Sequence, residues 1–137
     1  MAFRPLVKED GKTLVVKPTN ATAFTKFGGI KFSSGLAVVA ASGDPELNMI
    51  ALETKTSGTS DTETLLCMRV DPSVQFEVDL TAAITIANVG TFVDLSNSTH
   101  IDPTATTEDA FMITGLVAGN TSKATGYFVP SFTLRNQ

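Results

Sequence analysis

The sequence predicts an all-β protein: an antiparallel β-barrel or β-tulip, or a small sandwich, with an extended N-terminal arm. Three observations carry this. The first is composition. Thr supplies 20 and Ser 10 of the 137 residues, Trp is absent and charged residues make up 18%, a strand-and-turn balance. The second is "SVQFEVDL", in which Val74, Phe76, Val78 and Leu80 alternate with Gln75, Glu77 and Asp79, the period of a strand with one buried and one wet face. The third is the density of Gly, Asn and Asp-Pro turn signals, which divide the chain into about eight to ten short segments. At this length one domain can bury a core without metal or disulfide support.

Residues 1–27 read as an arm. Pro5 and Pro18 lack amide donors, which suits an edge or an extended segment better than a central strand. A short strand is expected at about Thr13–Lys17. From residue 28 to 137 a single barrel or sandwich is expected. Ile30 and Phe32 flank Lys31 in a second strand, and Leu36–Ala41 is an apolar run bounded by Gly35 and Gly43, suited to a strand buried on both faces. Asp44–Leu52 admits a helix, with Asp44 as N-cap and Pro45 at N1. It also admits a strand from about Asn48 to Lys55 that pairs through "SGTSD" with Glu63–Val70; the strand is the expectation. Val74–Leu80 follows, then strand character at Ile84–Ala87 and Thr91–Leu95 with a break at Asn88–Gly90. "STHIDPTATTEDAF" is expected as a polar loop. "DAFMITGLVAG", a turn at "NTSK" and "ATGYFVPSFTL" close the fold, with Pro130 marking an edge or bulge.

The net charge of −4 conceals an asymmetry. Residues 1–31 hold six Lys and Arg against two carboxylates, net +4, whereas residues 32–137 hold four against twelve, net −8. A basic start on an acidic body can dock on an acidic surface, including another copy of the chain. The acidic body repels phosphate, so direct nucleic-acid binding is not expected. No run approaches the roughly 18 apolar residues of a membrane helix, and "MAFRPLVKED" lacks the apolar stretch of a secretory signal. Phe3, Leu6, Phe24 and Phe27, with Arg4, Lys8, Lys12 and Lys17, are the candidate partner contacts of the arm.

Chemistry is thinly signalled. His100, the one histidine, has Asp94, Asp102, Glu108 and Asp109 nearby in sequence. It sits among Ser, Thr and Asp, a loop signature, and offers a metal a single nitrogen ligand without ordered spacing. It is expected on an exposed loop, with no catalytic or metal role. Cys67, the one cysteine, lies in "TLLCMRV" and reads as a core residue; no internal disulfide can form. Glu77 and Asp79 are neighbours on one strand face and read as surface charge. No nucleophile-elbow, zinc-protease or phosphate-loop motif occurs. No enzyme, cofactor or metal site is expected.

The stretches "VQFEVDLTAA", "NVGTFVDLSNSTHIDPTATTEDAFMITG" and "KATGYFVPSF" resemble the barrel-forming segments of the small head decoration (cement) proteins of tailed bacteriophages, across about Val74–Phe132. The resemblance implies a β-barrel or β-tulip body, homotrimers on the outside of the expanded capsid, the major capsid protein as partner, and an N-terminal arm crossing subunit seams. Such a protein is made in the host cytoplasm and located on the virion surface. Alternatives are another virion part (tail tube, neck or fibre base) or a soluble β-sandwich module that binds sugar or peptide.

Overall fold

The structure, a computed structural model, describes residues 2–6, 13–44, 47–60 and 62–129. Lys8, Lys12, Pro45 and the closing segment from Pro130 onward lie outside the described residues. The fold is all-β. Its strands are β1 (Phe3–Pro5), β2 (Thr13–Val16), β3 (Ala23–Phe24), β4 (Gly29–Ser33), β5 (Leu36–Val39), β6 (Met49–Ala51) and β7 (Lys55–Thr56), followed by β8 (Leu65–Arg69), β9 (Phe76–Leu80), β10 (Phe92–Leu95), β11 (His100–Asp102), β12 (Phe111–Val117) and β13 (Asn120–Phe128).

Two rolled sheets share the work of making a core. In the C-terminal half, hydrogen bonding runs β9–β11–β10–β12–β13, and β13 pairs again with β9. That last pairing, from Lys123 opposite Asp79 to Gly126 opposite Phe76, closes a five-stranded barrel. All its pairings are antiparallel except β9–β11, where His100 and Ile101 run parallel to Asp79 and Leu80. The N-terminal half forms an antiparallel sheet in the order β2–β8–β6–β4–β5. The chain just past β2 returns beside β5: the Ala37 amide donates to the Lys17 carbonyl and the Thr19 amide to the Ala37 carbonyl, both at 2.9 Å. This sheet therefore rolls up as well, over Phe24, Ile30, Ala37, Met49, Ala51, Leu65 and Cys67. Alternation along β6 and β8 sends Ile50 and Met68 the other way, into the larger cluster of the C-terminal barrel. One face of these two strands lines its own roll and the other carries the second barrel.

The expected division at residue 27 is corrected. β1 lies along β9, with Phe3 opposite Val78 and Arg4 opposite Glu77. Phe3 is fully buried, and its ring meets Phe128 edge-on at 5.1 Å. β2 pairs with β8, and Phe24 fills the N-terminal roll. The described residues of the segment are thus part of the folded body, because their large apolar groups gain more by filling these cores than by standing in water. Nor are residues 28–137 one barrel, since β4, β5, β6 and β8 belong to the N-terminal sheet and β7 pairs with β3.

Other elements differ in instructive ways. Ile84–Ala87 is not a strand: Ile86–Asn88 is a 3-10 turn, where the Thr85 hydroxyl accepts from the Ala87 amide and the Asn88 side chain accepts from the Thr85 amide. Those local bonds outcompete an extended conformation. Ile84 alone goes inside, while Ile86 is 72% exposed. "NTSK" is not the turn. The reversal occurs at Ala118–Gly119, between the paired Val117 and Asn120, where Gly119 supplies the positive φ of 76° that the second central residue of a type II turn requires. β5 buries Ala37 but leaves Val38 and Val39 half-exposed, so it is not covered on both faces. The hairpin of Met49–Ala51 with Leu65–Arg69 forms as expected, without a helix at Leu47–Leu52.

Phe128 is the centre of the C-terminal core. Phe3, Phe76 and Phe111 each meet it edge-to-face, at 5.1, 5.2 and 4.9 Å between centroids. Gly126 makes room for this cluster: a Cβ there would stand 1.9 Å from the Met112 carbonyl oxygen and 2.6 Å from the Phe111 ring. Phe128→Ala should lower the unfolding free energy in urea by ~3–5 kcal/mol, and Phe3→Ala should fall in the same range. Leu6→Ala, at a 42% exposed position, should stay within ~0.5 kcal/mol of wild type. Gly126→Ala should be at least as damaging as Phe128→Ala, since the close atom is backbone and cannot move aside.

Candidate interaction surface

The acidic residues were the natural place to look for chemistry, and their geometry shows loop fastening. Asp94, buried on β10, accepts hydrogen bonds from the backbone amides of Thr107, Glu108 and Asp109 at 3.0, 2.8 and 2.9 Å. Its own amide donates to the Ala105 carbonyl at 2.9 Å. One carboxylate thereby ties down the loop between β11 and β12. The arrangement also explains how Asp109 is held at φ 55°, a conformation that costs a non-glycine residue energy. Glu53 accepts from the Leu66 amide, Glu63 from the Gly58 amide, Asp71 from Ser73 and Asp44 from the Ala41 amide. Asp102 accepts from the hydroxyl and amide of Thr104, which hold its carboxyl below the ordinary range.

The pair Glu77 and Asp79 each meets a cation across the sheet. Arg4 lies 2.9 Å from Glu77, and the Lys123 ammonium bonds Asp79. They form cross-strand ion pairs, and the like charges are kept apart on opposite flanks of β9.

His100 is on a strand rather than an exposed loop. β11 sets it half-buried beside Asp79 on β9, with Nδ1 2.9 Å from the Thr99 hydroxyl. The expectation missed this because its short strand is bracketed by Ser, Thr and Asp, whose local signal is that of a loop. Among the described residues no three His, Cys, Asp or Glu side chains converge as metal ligands. Cys67 is fully buried in the N-terminal roll. Burial, with a smaller effect of the Glu53 carboxylate, pushes its thiol from the ordinary 9.0 up to about 12. A thiol so held is not a nucleophile near neutrality.

The candidate partner contacts separate into two groups. Phe3, Phe24 and Phe27 are buried and serve the protein's own cores; they are corrected as surface anchors. Phe27 stands between the two halves with its amide on the Ala51 carbonyl and its carbonyl receiving the Phe3 amide. The Lys26 ammonium sits 5.1 Å over its ring. Its φ of 65° is rare for a bulky residue. Arg4 is engaged with Glu77. Leu6 and Lys17 are exposed.

What the sequence pattern did not single out is the outer wall of the C-terminal barrel. Phe92 on β10 is opposite Met112 on β12, which is opposite Tyr127 on β13. Their neighbours Val93, Phe111 and Phe128 are the inward residues, so these three form an outward row across three strands. Phe92 is 41% exposed, and Leu116 on β12 is also exposed. A second apolar pair, Val15 and Leu66, lies opposite one another on β2 and β8. A depression lined by Phe24, Gly28, Ile30, Val39 and Ser98 among others encloses about 20 Å³, room for roughly one water.

No family model matches the chain, and neither a curated protein nor a solved structure matches it.

Asp94→Ala should lower stability by about 2–4 kcal/mol, because three amides lose a charged acceptor together, and should raise hydrogen exchange at residues 105–109. Cys67 should resist thiol reagents at pH 8 in the native protein and react fully in urea. The neutral thiol's contribution to stability is complete below about pH 9 and is lost as pH rises toward 12. The stability difference between wild type and Cys67→Ala should narrow over that window.

Proposed function

We propose that the protein is a structural component of a tailed-phage virion: a decoration protein on the outer surface of the head, binding the major capsid protein and stabilising the shell across subunit seams. The observation that carries this is the Phe92–Met112–Tyr127 row on the wall of a closed barrel. A cross-strand apolar row offers a rigid contact, and a barrel that is already closed loses little entropy on docking. The stretches that resemble decoration proteins include the strands that build this barrel. The protein acts without chemistry, by adding buried area where internal pressure would separate subunits. Many copies on a lattice act together, so each contact can be modest.

The burial of Phe3, Phe24 and Phe27 relocates the proposed contact. The barrel wall, rather than a detached N-terminal arm, is the principal docking face, and copies associate as homotrimers around it. The protein is made in the host cytoplasm and resides on the virion.

Purified protein mixed with expanded empty shells, assembled from the major capsid protein of the phage whose genome carries this sequence, should co-sediment with the shells and raise their disruption temperature. Phe92→Lys should weaken shell binding by at least about tenfold without changing the unfolding midpoint much. Tubes or rings formed by the protein alone would instead indicate a tail-tube component, and absence of shell binding would overturn the decoration role.

A further inference from the structure

One end of the C-terminal barrel carries no charge. β9 finishes at Leu80 and β13 begins at Asn120, and the two run antiparallel with Lys123 opposite Asp79. The chain that leaves β9 and the hairpin of β12 with β13 therefore lie at the same end, where the Ile84 amide donates to the Thr121 carbonyl at 3.0 Å. The 3-10 turn Ile86–Asn88 packs against β12 there, and the Gly90 amide donates to the Ile113 carbonyl at 2.8 Å. Residues 81–91 and 114–122 build this tip. Neither stretch holds an Asp, Glu, Lys, Arg or His, although charged residues make up 18% of the chain. At its border Asp79 is paired with Lys123, and Asp102, next to the Ile101 that pairs with Leu80, accepts from Thr104.

The tip is apolar and held still. Ile86 is 72% exposed and Leu116 44%, and Ala83, Ala87 and Ala118 are exposed as well. An isoleucine so placed gains little from its own fold, yet the turn that presents it is fastened on both sides. The Asn88 side chain accepts from the Thr85 amide, the Thr85 hydroxyl accepts from the Ala87 amide, and the Thr91 hydroxyl donates to the Asn88 carbonyl at 2.6 Å. A contact made by a surface already ordered loses little entropy. The charge pattern says what can meet it. The chain is net −4, so copies repel one another on average. About a rotation axis identical residues of two copies come face to face, and a charge there would meet its like. An uncharged apolar end lets copies meet without that penalty. A bilayer is the poorer fit, since the tip offers neither Lys or Arg to lipid headgroups nor Trp or Tyr to the interface.

We propose that copies of the chain meet tip to tip about a rotation axis, with Ile86 and Leu116 of one copy against the same residues of the next. The exposed apolar side chains supply the affinity, and the absence of charge lets like face like. The contact deepens the proposed homo-oligomer by naming its surface. It makes no use of the shell, so its failure would leave shell binding untouched.

Sedimentation velocity of the full chain over a dilution series should show reversible association. Ile86→Asp and Ile86→Lys should each raise the dissociation constant at least about tenfold, with unfolding midpoints nearly unchanged because the position is exposed. Phe32→Asp, a charge placed at an exposed site on β4, should leave association as it is. A mixture of the Ile86→Asp and Ile86→Lys chains should associate more tightly than either alone, and the gain should shrink as salt rises. A contact of like residue with like brings the two new charges together; a contact of the tip with some other surface of the chain does not. A wild-type chain that stays monomeric at every concentration, a mixture that shows no gain, an equal loss with Phe32→Asp, or a monomer that sediments with neutral lipid vesicles in place of self-association would each overturn the proposal.

Discussion

The contact of three phenylalanine rings with Phe128 is the interaction on which the rest of the molecule depends. Phe3 comes from the start of the chain, Phe76 from the strand that closes the barrel, and Phe111 and Phe128 from the two arms of the last hairpin. Three rings from separate strands are each brought within about 5 Å of Phe128, and each edge-to-face pair adds roughly 0.5–1.5 kcal/mol beyond the area it buries. Gly126 is the geometric condition for this packing. Where β13 passes Met112 and the Phe111 ring, any side chain would hold the strands apart. β13 lies this close to β12 because the side chain at Gly126 is a hydrogen atom.

The N-terminal sheet depends on the same barrel. Met68 and Ile50 belong to the larger cluster, while Met49, Ala51 and Cys67 line their own roll. Alternate residues of two short strands thus serve two cores. Phe27 reinforces the join, with backbone bonds to both β1 and β6 and a left-handed conformation that its burial must sustain.

The carboxylates divide the labour differently from what their number suggests. Asp94, Glu53, Glu63, Asp71 and Asp44 each accept from main-chain groups of turns and loops, and Glu77 and Asp79 pair with Arg4 and Lys123. In a small protein with long connections, such charge-assisted bonds order segments that have few apolar contacts of their own. The result is a body with firm loops and a surface whose distinguishing features are an apolar row and an uncharged barrel tip. Both suit adhesion to other proteins.

The all-β class, the alternation of Val74–Leu80 and the strands at Thr13–Val16, Gly29–Ser33 and Phe92–Leu95 were legible in the sequence. Each depends on side-chain period and turn chemistry within a few residues. The core character of Cys67 was legible for the same reason. The fate of Phe3, Phe24 and Phe27 was not. An aromatic group beside prolines looks the same whether it docks on its own chain or on another, and only the position of β9 and of the N-terminal roll decides. Nor could His100 be placed, because its strand exists only through its pairing with β9 and β10. The loop staple at Asp94 joins residues 13 to 15 positions apart, too far for a local signal. That the uncharged residues 81–91 and 114–122 share one end of the barrel follows from the antiparallel pairing of β9 with β13, a relation that no single stretch of sequence contains.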